Sequence, residues 1–334
     1  MNEFKIAIIG ASGHFSYFRK VPDSMKDMLR VTAISSGGDN ADSFGGLIKK
    51  TENFSPTIFD DYRELLEKIE LDAVIVNPEF HRAANVALDC VKADIPVFME
   101  KPFGTELKKT EQLHSESKKR KLPVFPMFDM RYQPTFFTAQ KLIKAGRIGD
   151  PVLASAQKSY KLGNRADFYK KRQSSGGMIP WVAIHAVDFI RFVTGLEYQS
   201  VNAKHTSFGN KGNGDLESSS AMIFECQDGR ISSVTADYLQ PRGASSHGDD
   251  RLRVAGTKGI IEIIHNTLYL TDDSGSRTVD LESPPHMLFE DFIRATRGEE
   301  TLVTPDDGFI ATYSVLAARE SADFGEQRKI ITPS

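Results

Sequence analysis

The sequence predicts an α/β protein in two parts: a doubly wound parallel sheet, followed by an α+β region built on a large, mainly antiparallel sheet. Three observations carry this. Up to about residue 125, short apolar runs alternate with longer amphipathic segments, the rhythm of parallel strands joined by crossover helices. Beyond residue 136 most segments read as strands, separated by turn pairs such as Asp228-Gly229 and Lys258-Gly259 that suit antiparallel hairpins. A length of 334 residues lets each part bury its own core without disulfides or metals. The expected division is 1–125 and 126–334.

In chain order, the first-part strands are Phe4–Ile9, Val31–Ile34, Asp72–Val76, Pro96–Glu100 and Val124–Phe128. Helical spacing covers Tyr62–Ile69 and His81–Ala93; in the latter Ala84, Leu88 and Val91 share a face from which Asp89 and Lys92 are excluded. The second part opens with a helix, Phe136–Ala145, stopped by Gly146. Its strands are Val152–Tyr160, Val201–Phe208, Ser218–Cys226, Arg230–Tyr238, Leu252–Ala255 and Ile260–Ile264. One helix interrupts them, from Pro180, suited to a first helical position, to Gly195, suited to the left-handed residue after a helix. The Gly-, Asn- and Ser-rich stretch Phe208–Ser220 reads as a flexible hairpin loop. Helices His286–Arg297 and Pro305–Gly325 close the chain, and no internal repeat is visible.

Composition excludes several function classes. With 42 Lys+Arg against 45 Asp+Glu, and no long run of one sign, nothing here forms an electrostatic footprint for nucleic acid. No apolar stretch approaches the roughly 18 residues of a membrane span. The two cysteines, Cys90 and Cys226, are far apart and lack metal-ligand spacing, so the expectation is free core thiols, no metal, and a cytoplasmic protein. The start, MNEFKIAIIGASG, has no basic region or cleavage site of an export signal.

The chemistry begins where the first strand runs into Gly10-Ala11-Ser12-Gly13-His14-Phe15. A dinucleotide fold needs glycines here, for the tight turn and for close approach of the pyrophosphate to a helix N-terminus. The match to G-x-G-x-x-G is partial, because Ser12 takes the second glycine position and Phe15 the third. Such a turn is elsewhere only a turn; its place at the first strand–helix junction is what points to a cofactor. After the second strand, where a carboxylate would grip the adenosine ribose of NAD, the chain reads Ser35-Ser36-Gly37. Those hydroxyls permit NADP as well, so NAD or NADP is expected. Two further strands end in Asn77-Pro78-Glu79-Phe80-His81 and Glu100-Lys101-Pro102, at the edge where open α/β sheets bind ligands. Pro102 keeps Lys101 extended and directs its ammonium over that edge; the bland alternative is a solvated lysine in a turn.

At Glu100-Lys101-Pro102 the chain resembles the glucose-fructose oxidoreductase and inositol dehydrogenase family (Gfo/Idh/MocA). The likeness continues through Arg131-Tyr132-Gln133-Pro134, Leu142–Gly149, Gly176-Gly177, His185-Ala186-Val187-Asp188, Arg253–Gly259 and Ala317–Ser321, in the expected order over nearly the whole length. The resemblance implies a Rossmann domain over 1–125 and a substrate-binding and oligomerisation domain over 126–334, with an open sheet whose outer face forms homodimers or homotetramers. It implies an NAD(P)-dependent oxidoreductase acting on a sugar-like or polyol-like alcohol. Cofactor contacts are expected from Gly10, Ser12, Gly13, His14, Phe15, Ser35, Ser36, Asn77, Pro78, His81, Glu100, Lys101 and Arg131.

In that family the lysine of the triplet and a histidine after the Gly-Gly turn act on the substrate alcohol; these map to Lys101 and His185. The family's aspartate one turn before the histidine is Trp181 here, and a glycine two residues before it is Ala183. The indole therefore replaces the carboxylate that would orient the imidazole. Trp181 is either a platform for a sugar ring, a sign of weakened or redirected chemistry, or a core filler. Asp188 is expected to fix the helix rather than to serve His185. The segment Tyr160–Arg172 mixes rings and cations, including Tyr160, Arg165 and Arg172, in a pattern that suits a hydroxyl-rich or anionic small molecule, or else a solvated loop. Two rival functions remain at this level: a glycoside-cleaving or isomerising enzyme that uses NAD without net redox, and a catalytically weak nucleotide-binding sensor.

Overall fold

The computed structural model describes residues 3–332. The chain divides into two compact units, the first running to Phe128 with His286–Phe309 added, the second comprising Asp129–Pro285 and the chain from Ile310.

The first unit is a six-stranded sheet in the order β3-β2-β1-β4-β5-β6, all parallel, with β1 Phe4–Ile9, β2 Leu29–Ser35, β3 Thr57–Phe59, β4 Ala73–Val76, β5 Val97–Met99 and β6 Val124–Pro126. Its central strands are buried on both faces, so they read as continuous apolar runs; Ile6, Ile8, Val74 and Ile75 are fully inaccessible. The helices are α1 Ala41–Thr51, α2 Tyr62–Lys68, α3 Phe80–Lys92 and α4 Leu107–Arg120. The apolar face of α3 consists of Ala83, Ala84, Val86, Ala87, Cys90 and Val91, while Leu88 is half-buried.

The sequence reading omits β3, α1 and α4. β3 is a three-residue strand, and α4 is so polar that it buries only Thr110, Leu113, His114 and Ser117, leaving no apolar period to detect. No long helix follows the glycine turn either. Phe15–Arg19 forms a 3-10 turn that buries Phe15, Tyr17 and Phe18, and a four-residue helical turn, Asp23–Lys26, leads to β2. Aromatics at positions 15 and 18 eclipse one another on a 3-10 turn, which puts both rings inside.

The segment expected with the second part, His286–Arg297, folds with the first unit as α5, Leu288–Thr296. Rings explain this. Phe98 of β5 meets Phe289 and Phe292 at 5.1 Å each, and Phe289 also lies 6.5 Å from Phe18. Each such buried ring contributes about 1.5–3 kcal/mol.

The second unit is a nine-stranded sheet, β14-β13-β12-β11-β7-β10-β9-β8-β15. Its strands are β7 Pro151–Lys161, β8 Tyr198–Thr206, β9 Ser219–Cys226, β10 Ile231–Gln240, β11 Gly248–Gly256, β12 Ile260–Ile264, β13 Thr267–Asp272, β14 Gly275–Thr278 and β15 Arg328–Lys329. Neighbours are antiparallel except β7 and β10, which pair in parallel from Ile231↔Leu153 to Leu239↔Lys161. Helix α6, Pro134–Lys144, packs on α7, Ile184–Thr194, whose ten residues up to Val193 are all buried. α7 ends at Gly195 with φ 72°, as its sequence predicts, but starts differently: Ile179–Ala183 form a π turn. The helical run Arg172–Thr194 is long and apolar enough for a membrane span by composition, against the sequence reading, yet its apolar 18-residue window is wholly buried within the protein. The 208–220 stretch is folded on itself, with the Asn210 amide donating to the carbonyls of Gly214 and Leu216 at 3.0 Å each. Helix α8, Pro305–Phe324, contains the boundary between the units, after Phe309.

Candidate active site

In the first unit, three chain segments meet at the carboxyl ends of β1, β4 and β5. Gly10 and Gly13 have φ of 87° and 89°, and each is held without a Cβ by a neighbour. A Cβ on Gly10 would lie 2.1 Å from the Pro78 nitrogen, and one on Gly13 2.3 Å from Glu100 Oε2. The glycines thus let the turn nest against Asn77-Pro78 and against the Glu-Lys-Pro segment.

Most amides of the turn are taken by the protein itself. Gly10 N–H donates to the Ser35 carbonyl, Ala11 N–H to Asp39 Oδ2, Ser12 N–H to the Asn77 carbonyl and His14 N–H to Glu100 Oε2. Asn77 is buried and returns a bond from its amide to the Ser12 carbonyl at 3.2 Å. Glu100, 1% exposed, also meets the His14 ring at 2.7 Å and accepts from Lys101 N–H at 3.0 Å. Glu100, Asn77 and Pro78 are therefore positioning residues beneath the turn. Phe15 is a core ring, and His81 lies 3.8 Å from the Glu79 carboxylate. Ser35 is fully buried, its strand position turning the hydroxyl inward, so of the two serines only Ser36 reaches the surface. Lys101 is buried, and the Lys101–Pro102 peptide is cis.

Burial alone would raise the Glu100 carboxyl, but the His14 ring, the Lys101 charge and the donated hydrogen bonds outweigh it and hold it below the ordinary value. The sign follows from linkage: a depressed folded-state value contributes stability above the ordinary value of 4.5 and loses it as pH falls through the folded one. Glu100→Gln should flatten the acid limb of the stability profile, measured by denaturant midpoints between pH 3 and 6, while leaving its shape near neutrality unchanged.

Sequence reasoning missed Asp39 and Arg82. Asp39 lies four residues beyond β2 and accepts from Ala11 N–H, the Ser12 hydroxyl and Glu79 N–H at 2.7–2.9 Å, clamping the glycine turn to the loop after β4. Burial raises its carboxyl despite these bonds. Its only sequence signal is an acid near the end of β2, which reads as a ribose ligand. Arg82 donates to the Gly38 carbonyl, which puts a guanidinium beside the loop that follows β2.

In the second unit, α7 presents His185, 3% exposed, and the π turn before it presents Trp181, 6% exposed. The Trp181 ring packs on Tyr169 at 5.8 Å. π turns recur at functional sites because the extra residue re-aims the side chains around it. Arg131 and Asp188 form a buried pair, with bonds of 2.6, 3.1 and 3.2 Å, and the guanidinium also covers the Phe192 ring at 5.0 Å. Asp188 thus fixes the helix, as its sequence position suggests. Arg131, expected to touch the cofactor, has its fork bound to Asp188. Arg172 is likewise committed, one edge to Glu217 and the other to Asp323 at 2.6 and 2.7 Å. It ties the segment before the Gly-Gly turn to two other elements and is not retained as a substrate contact. Glu217, another residue without a sequence signal, accepts from Met178 N–H at 2.9 Å.

Tyr160 lines a cavity of about 770 Å³ with Thr135, Ser246, His247, Asp249 and Asp250. Asp250 on its wall pairs at 2.7 Å with Lys158, directly opposite it across β7 and β11. Desolvation raises the Asp250 carboxyl, with Lys158 opposing.

A parallel sheet in the order 3-2-1-4-5-6, with a glycine turn of positive φ at the point where the order reverses, defines a dinucleotide-binding protein. The cradle fits such a cofactor: its glycines have no room for a Cβ, and the turn lies at the carboxyl edge. Residues 4–128 match the oxidoreductase family model with an NAD-binding Rossmann fold, and residues 136–262 match the Gfo/Idh/MocA C-terminal domain. The chain belongs to the Gfo/Idh/MocA oxidoreductase family. It is 26% identical over 289 residues to a myo-inositol 2-dehydrogenase of Thermotoga maritima, covering 81% of this chain and 83% of that one. A solved structure of an oxidoreductase from Thermotoga maritima is 39% identical, with a TM-score of 0.91 over 98% of this chain and 100% of that one. A levoglucosan dehydrogenase in complex with NADH shares the fold at 16% identity, with a TM-score of 0.84 over 99% of this chain and 100% of that one.

Proposed function

We propose that this oxidoreductase transfers a hydride between a nicotinamide dinucleotide and a sugar-like or polyol-like alcohol. The observation that supports it most is the burial of Lys101 and His185, the two residues that the family resemblance assigns to the substrate alcohol. Inositol and levoglucosan dehydrogenases among its relatives supply the substrate class. When bound, the nicotinamide supplies the hydride acceptor. Gly13, Ser36 and the backbone of the glycine turn hold the dinucleotide, in the domain over 1–125. His185 accepts the hydroxyl proton, and Lys101 holds the oxygen and stabilises its developing negative charge. The ring of Trp181, packed at a tilt against Tyr169, gives the sugar an apolar surface, while Tyr160 and its cavity supply hydroxyl-binding groups.

The test is a panel of inositols, aldoses and anhydrosugars with NAD and NADP, read by reduced nicotinamide. Net reduction with one member supports the reading. Retained cofactor with product but no net reduction indicates glycoside cleavage or isomerisation, and binding without turnover on any member indicates a sensor.

Assembly as a homodimer or homotetramer through the open sheet is part of the same proposal. Leu153 and Ile231 lie opposite one another across β7 and β10, and Ile223 follows on β9, all on one exposed face and 40–57% accessible. Ile223→Glu should shift the mass measured by light scattering toward the monomer; an unchanged oligomer, or a monomeric parent, would contradict this. The two buried free thiols, Cys90 and Cys226, support a cytoplasmic location.

A further inference from the structure

A second cavity in the second unit, of about 490 Å³, lies between the loop after β7 and the end of β10. Its walls carry four cationic side chains, Arg165, Lys170, Lys211 and Arg242, and no acidic one among the described residues that line it. Lys170 is paired outward with Asp167 at 2.8 Å. Clustered cations in a concave wall focus a positive potential that attracts an anion.

Two polar atoms of its lining residues are buried behind the wall. Tyr238 lines it at 4% exposure, and its hydroxyl makes no hydrogen bond with any described residue. Arg165 Nε is likewise buried and without a partner among the described residues. The Arg165 plane is fixed by the rings of Tyr238 at 4.6 Å and Tyr169 at 5.6 Å, and one terminal nitrogen donates to the Lys161 carbonyl at 3.0 Å. A guanidinium held flat in this way keeps its fork ready for two oxygens. The field reaches beyond the cavity: His247 is lowered by its own burial first, then by the charges of Arg165, Lys161 and Lys158.

We propose that this cavity binds the anionic group, phosphate or carboxylate, of a small hydroxylated molecule, with Arg165, Lys211 and Arg242 as cationic donors. The hydride-transfer reading is not needed for it.

The test is calorimetric titration of the full chain, without added dinucleotide, with inorganic phosphate, glucose 6-phosphate, glucuronate and neutral glucose. The anions should bind with an affinity that weakens as salt rises, and glucose should not. Lys211 and Arg242 are exposed, so the double variant Lys211→Ala/Arg242→Ala should fold normally and bind about tenfold or more weakly. Gly13→Ala, in the dinucleotide turn, should leave anion binding unchanged. Preference for the phosphate ester or for the carboxylate supports the site and names its ligand. Equal binding of glucose and the anions, or binding unaffected by the double variant, overturns it. Failure of turnover with intact anion binding would count against the hydride-transfer reading alone.

Discussion

Lys101→Met should lower kcat by about 10²–10³-fold while dinucleotide affinity stays within a few fold. Methionine keeps most of the volume of a side chain that is 1% exposed, so the fold around the glycine turn survives. What disappears is the ammonium that stabilises charge on the substrate oxygen, and loss of one such donor costs rate on that scale. The turn contacts near this position run through Glu100 and the Lys101 amide, which the substitution leaves in place. Steady-state kinetics beside a binding titration separates the effects. Intact turnover with lost dinucleotide affinity would show that Lys101 serves the cofactor and not the chemistry.

The largest effect on stability is expected from Asp188→Ala. Arg131 is 4% exposed and its fork is bound to Asp188, so alanine would strand a buried guanidinium, at about 3–5 kcal/mol. Chemical denaturation should show this in the second unit. Replacing both members, Arg131→Met with Asp188→Leu, should recover much of the loss, because no charge then remains to be solvated. The same double variant addresses the role of Arg131. If it binds dinucleotide normally, Arg131 is a brace for the helix carrying His185; a specific loss of cofactor affinity would restore the contact first expected from its sequence position.

The fold was legible where burial imposes a period or an unbroken apolar run. β1 is bounded at Phe4 and Ile9 by its sequence, and the Gly195 stop of α7 is marked by a residue that tolerates a left-handed backbone. The polar helix α4, the three-residue strand β3 and the short strands β14 and β15 offered no such pattern. The return of Phe289 and Phe292 to the Phe98 cluster depends on contacts nearly 200 residues apart in sequence, which local periodicity does not encode. Within the candidate site, Gly10 and Gly13 carry a motif of their own, and Lys101 and His185 were assigned through the family resemblance. Residues whose role is set by a distant partner were not legible: Asp39 clamps a turn about 28 positions away, and Arg172 belongs to Glu217 and Asp323. A lone charge in a sequence does not reveal whether it faces a ligand or another side chain.

The most direct measurement is a titration of the purified protein with NAD, NADP and their reduced forms, following the fluorescence of Trp181, the single tryptophan, and confirmed by calorimetry. The account predicts saturable binding of one nicotinamide dinucleotide in the micromolar range, abolished by Gly13→Ala, whose added Cβ collides with Glu100. Absence of heat and of any fluorescence change with all four would contradict it, leaving a family fold without the cofactor its chemistry requires.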